Sequence, residues 1–115
     1  MKTFKERRRH GRHKVKNRSI VLVHPTTILS YNVLDVSYTG LSFTYIGWEK
    51  WPPKGIKVDI LDQEYFLENI PAHIINDVQL YEKSKSLRRC SIEFDSLARD
   101  LKNNLRRYIE SVATN

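Results

Sequence analysis

Cysteine is almost missing from this 115-residue chain. The single Cys90 excludes an intrachain disulfide and a zinc site made of several thiolates. It lies in "RRCSIEF", which reads as a strand, so a small buried apolar side chain is expected there. Glycine and proline number four each, and half of both fall in "GWEKWPPKG" (47–55). That segment is thereby excluded as a regular element. No apolar run approaches the ~18 residues of a membrane-spanning helix, and no apolar stretch follows the basic start to make a secretory signal. A soluble, cytoplasmic protein without membrane insertion is expected. No glycine-rich phosphate loop, paired-carboxylate motif or activated nucleophile is visible, so the chain does not read as an enzyme. His10 and His13 lack a carboxylate or thiolate companion, and no metal is expected.

Positive charge is abundant but confined. Twenty Lys/Arg against thirteen Asp/Glu give a formal charge of +7. Nine of the basic residues, against Glu6 alone, lie within residues 1–18; the remaining 97 residues hold eleven basic and twelve acidic side chains. The excess charge therefore belongs to an arm, "KERRRHGRHK", whose like charges repel and which has too little apolar surface to pack by itself. A flexible basic arm over residues 1–14 and a single domain over 15–115 are expected.

From Val15 the pattern alternates with period two between turn signals, as half-buried strands do. "RSIVLVH" (18–24), "TILSYNVLDVS" (27–37), "GLSFTYI" (40–46), "IKVDIL" (56–61), "EYFLENI" (64–70), "AHIIND" (72–77) and "RRCSIEF" (88–94) predict six or seven short strands, hence an antiparallel barrel or sandwich. Asp62-Gln63 is a candidate two-residue hairpin, and "VQLYEKSKS" reads as a polar connection. Beyond Asp95 the period changes. Leu97, Leu101, Leu105, Tyr108, Ile109 and Val112 recur at steps of three and four, which predicts an amphipathic helix over 96–113 capped by Asp95 or Ser96. Trp48 and Trp51 read as covering one end of the barrel, with an exposed stacking or partner surface as the alternative.

Two short motifs carry the chemistry. Arg8 and Arg12 are spaced R-x-x-x-R. In "DVSYTG", separated from Arg12 by 22 intervening residues, Asp35 and Ser37 share a strand face by alternation, and Gly40 supplies conformational freedom at a reversal. Together they resemble the PilZ domain, the bacterial receptor family for the second messenger cyclic di-GMP, in which an N-terminal arginine pair precedes [DN]-x-S-x-x-G. The late "CSIEF" strand and terminal helix extend the resemblance over nearly the whole chain; Cys90 departs from the glycine common in relatives. The resemblance implies a PilZ-type β-barrel with a C-terminal helix, and a clamp of Arg8 and Arg12 with Asp35, Ser37 and Gly40. Arg7 and Arg9 are auxiliaries. Cyclic di-GMP is the implied ligand, and an unidentified downstream protein would read the ordered arm.

The residues suit that ligand chemically. Arginine forks donate to guanine O6 and N7 or to phosphate, and a carboxylate accepts from guanine N1–H and N2–H. Two other readings stay open: a nucleic-acid-binding barrel with a phosphate-tracking arm, and a PilZ-like adaptor that binds no nucleotide. Strands without net positive charge and a carboxylate in the site argue against nucleic acid.

Overall fold

The computed structural model describes residues 11–16, 18–24, 30–47, 50–52, 55–80 and 87–114. Among these residues, seven strands are followed by one helix: β1 (His13–Lys14), β2 (Ile20–His24), β3 (Ser30–Val36), β4 (Gly40–Ile46), β5 (Ile56–Leu61), β6 (Phe66–Gln79), β7 (Leu87–Phe94) and α1 (Arg99–Thr114). All pairings are antiparallel. The order β3-β2-β5-β6-β7-β4 closes through β3–β4 into a six-stranded barrel, and β1 lies along the remaining edge of β3.

Alternation builds the core as the sequence predicts. Val21 and Val23 of β2, Leu41, Phe43 and Tyr45 of β4, and Cys90 and Ile92 of β7 are buried in one apolar cluster. Burial pushes the Cys90 thiol up to about 12, so it is a packing residue rather than a reactive one. Trp51 joins the rings of Tyr31, Phe43 and Tyr45 at centroid distances of 5.6 to 6.4 Å. Its indole N–H donates to Asp77 at 2.9 Å, and Asp77 also accepts from Tyr45 and from Arg88. Trp51 thus covers the barrel end, while Trp48 lies outside the described residues.

Three expectations about elements need correction. β6 is one strand of 14 residues, where the sequence suggested two strands and a loop. Pro71 fits inside it because its carbonyl accepts from Asp95 just beyond the end of β7, so its missing N–H falls where no partner strand remains. The β5–β6 hairpin pairs Leu61 with Phe66 and leaves four residues in the turn, closed by Asp62 N–H donating to Tyr65 O at 2.8 Å, not the two of Asp62-Gln63. Finally, α1 starts at Arg99 rather than 96. The Ala98 carbonyl receives the Lys102 N–H, and the Asp95 carboxylate is taken by His73. At the other boundary, His13 and Lys14, counted with the arm, pair with Val36 and Asp35.

Leu105, Tyr108, Ile109 and Val112 form the buried face of α1. A polar latch ties this face to the barrel. Arg18 donates twice to Asp62 at 2.7 Å and once to Ser111 Oγ at 3.0 Å. Tyr108 donates to Ser19, which donates to Asp62 at 2.6 Å.

Candidate functional site

Two β-bulges decide what faces outward. Between β3 and β4 the register passes from Val33↔Phe43 to Asp35↔Ser42, leaving Leu34 as the extra residue. Between β6 and β7 it passes from Ile74↔Ile92 to Asn76↔Ser91, with Ile75 extra. Each bulge shifts the alternation by one residue. Tyr31 and Val33 therefore point into the core, and Asp35 points out; without the slip all three would share one face. The Leu34 carbonyl accepts from Val15 N–H at 3.0 Å, which holds the bulge against the start of the barrel.

The shifted register creates one polar rung across the outside of the barrel: Lys14, Asp35, Ser42, Ser91 and Asn76, each opposite the next. Ser42 and Ser91 are small and face each other with Oγ atoms 2.9 Å apart. Ser91, with the buried Ser42 behind it, lines a depression of about 500 Å³ walled by Arg12, Lys14, Val78 and Arg89. Arg12 donates from Nη1 to Asp35 Oδ1 at 2.8 Å and to Ser42 Oγ at 3.1 Å. From the other side, Arg89 donates from Nη2 to Asp35 Oδ2 at 3.0 Å. Asp35 is 8% exposed, yet both of its oxygens are met by a guanidinium.

Of the residues singled out in the sequence, Arg12 and Asp35 meet here. Ser37 and Gly40 do not line the depression. Ser37 follows the end of β3, and its hydroxyl lies 3.1 Å from Thr39 Oγ1 while accepting from Thr39 N–H at 3.2 Å. The shared-face expectation for Asp35 and Ser37 fails because the strand stops at Val36. Gly40 is not needed for a left-handed φ, which among the described residues belongs to Gly47, Gly55 and Asn69. It is needed because β4 passes so close to β7 that a Cβ would meet the Ile92 carbonyl. Arg7, Arg8 and Arg9 lie outside the described residues.

Lys14, Ser42, Asn76, Arg89 and Ser91 were not picked out as site residues. A partial signal existed for β7: Cys90 and Ile92 read as core, which turns Arg89 and Ser91 outward. Nothing local places that strand beside Asp35.

A larger groove, about 650 Å³, runs between the Tyr38-Thr39 turn and α1. Its charges are mixed, Glu93 and Asp95 with Lys102 and Arg106, whereas the smaller depression gathers three cations around one carboxylate. Among the described residues no group of His, Cys, Asp or Glu could hold a metal, and no helix is long and apolar enough to cross a membrane.

A closed antiparallel barrel with a cationic outer depression and a terminal helix defines a class of small β-barrel domain, and solved structures share its fold. The isolated PilZ domain of YcgR from Escherichia coli, solved with c-di-GMP, superposes with a TM-score of 0.70 over 92% of this chain and 91% of its own, at 16% identity. The longer YcgR complex with c-di-GMP matches at 0.69 and 16% identity over 91% of this chain. The MrkH complex with c-di-GMP from K. pneumonia matches at 0.70 and 14% identity over 90%. The chain spans 45% of that YcgR and 51% of that MrkH. No family model and no curated sequence matches it. The chain has the PilZ-domain fold.

Proposed function

We propose that the chain is a non-enzymatic receptor for cyclic di-GMP, binding at the outer depression. The observation that carries this reading is the convergence of Arg12, Lys14 and Arg89 with Asp35 around a depression that Ser91 and Asn76 also line. Three cations against one carboxylate leave two positive charges, which complements a ligand with two phosphodiesters. The carboxylate supplies the acceptor that guanine N1–H and N2–H require, which a purely cationic phosphate site would not contain. The complexes of YcgR and MrkH with c-di-GMP support the choice of ligand.

In this reading Arg8 joins Arg12 through the R-x-x-x-R spacing, with Arg7 and Arg9 as auxiliaries. Asp35 takes the guanine edge. Ser37 and Gly40 hold the turn after Asp35, with the Ser37 hydroxyl available to a base or phosphate if its bond to Thr39 opens. Both Asp35 oxygens are occupied by arginines, so ligand entry exchanges one set of charge-assisted bonds for another. The rearranged arm and barrel surface would then be read by a downstream protein.

Calorimetry with cyclic di-GMP, GMP and short single-stranded DNA tests the reading. Cyclic di-GMP should bind, and Arg12→Ala or Asp35→Ala should each weaken it roughly 10- to 150-fold, the loss of one charge-assisted hydrogen bond. Circular dichroism would check that both variants fold. DNA binding that falls steeply with salt and ignores Asp35→Ala would favour a nucleic-acid protein instead. No binding of any of the three would leave an adaptor.

A further inference from the structure

Arg89 approaches Asp35 from the wall opposite Arg12, and it comes from β7 rather than from either motif. The β4–β7 and β6–β7 registers place it between Thr44 and Val78, two residues before Ser91 of the polar rung. Its Nη2 reaches Asp35 Oδ2 at 3.0 Å and Ser42 Oγ at 3.4 Å. Its side chain is 36% exposed, so part of the guanidinium faces the depression. Its Nε is buried without an acceptor among the described residues, which leaves the inward pose with an unmet donor and lowers the cost of re-aiming the fork.

Resting on the receptor reading above, we propose that Arg89 is a guanine-specifying residue that donates to O6 of the base held by Asp35. Guanine presents O6, N1–H and N2–H in a row along one edge. When a carboxylate accepts the two N–H groups, O6 comes to lie beside one carboxylate oxygen, where a donor is required. Arg89 already stands beside Oδ2. Adenine carries an amino donor in the place of O6 and a lone pair at N1, so it would set donor against Arg89 and lone pair against Asp35. A site built to hydrogen-bond a group rejects an analogue lacking it, because its own polar atoms are left unpaired. Arg12 serves the other carboxylate oxygen and continues the chain toward Arg8.

Titration of the full chain with cyclic di-GMP, and with cyclic di-AMP as competitor up to millimolar concentration, tests the assignment on wild type, Arg89→Ala and Arg89→Lys. Arg89→Ala should weaken cyclic di-GMP roughly 10- to 150-fold and leave cyclic di-AMP unchanged, so that selectivity narrows by the same factor. Arg89→Lys, with a point charge in place of the fork, should recover only part of the loss. Thermal midpoints of the variants guard against misfolding. Undiminished cyclic di-GMP binding by a folded Arg89→Ala would overturn the assignment while leaving the receptor reading intact. So would equal losses for both dinucleotides, the mark of a phosphate contact. A wild type that binds neither would overturn both.

Discussion

A Cβ at Gly40 would collide with the carbonyl oxygen of Ile92 and approach its carbon to 3.1 Å. Both are backbone atoms of β7, paired along β4 from Gly40↔Glu93 onward, so neither can swing aside as a side chain would. Gly40→Ala should therefore destabilise the barrel by about 1 to 3 kcal/mol, the ordinary cost of overpacking, read as a lower urea midpoint with an unchanged slope. The same substitution would be mild if the residue served only to turn the chain. Gly40 was legible as a special position, but its reason was not. A tight turn is a local property, whereas the approach of β7 involves residues more than fifty positions away. Asp35 illustrates the same limit: its acidity suggested a ligand acceptor, but its outward direction depends on Leu34 being extruded from the pairing.

At the scale of elements, the Arg18–Asp62 latch joins the residues just before β2, the β5–β6 turn and the third and fourth turns of α1. Burial of Asp62 would raise its pKa, but donation by Arg18 and then Ser19 outweighs it, and the carboxyl falls from 3.8 to about 2. A carboxyl with a lowered folded-state pKa stabilises the protein fully above its unfolded value and loses that contribution as pH falls through the folded one. Wild type should thus lose about 1 to 2 kcal/mol between pH 4 and pH 2 from this group. Denaturant midpoints across that range would show it, and Arg18→Ala should flatten the loss. At pH 7 the same variant should cost about 3 to 5 kcal/mol, because it leaves a buried carboxylate unpaired. The latch escaped sequence reading because Asp62 looks like an ordinary hairpin residue. β6 escaped for a related reason: Pro71 reads as a break between two strands and the run from Val78 reads as a polar connection, whereas Val78 and Gln79 still pair with Arg89 and Arg88 of β7. The core strands and the helix kept their periods and were readable.

For the molecule as a whole, ligand binding at the depression should change the arm as well as the barrel, since Arg12 links the two. Limited trypsin digestion near Arg7 to Arg12 should slow at saturating cyclic di-GMP; cleavage that stays at the ligand-free rate would count against coupling. The amino-acid sequence determined the parts that rest on short-range pattern. Period-two alternation specified which strand residues could enter the core, the later three-and-four spacing specified the amphipathic helix, and composition confined the excess positive charge to the first eighteen residues. The R-x-x-x-R pair and "DVSYTG" pointed to the two chain segments that the fold joins through Arg12 and Asp35. Only the tertiary structure decided that Arg89, Ser42, Ser91 and Asn76 complete that meeting place. Barrel closure and the two bulges bring Ser42, Ser91 and Asn76 to the rung of Asp35, with Arg89 two residues away along β7, and cross-strand register is a long-range property that no local spacing encodes.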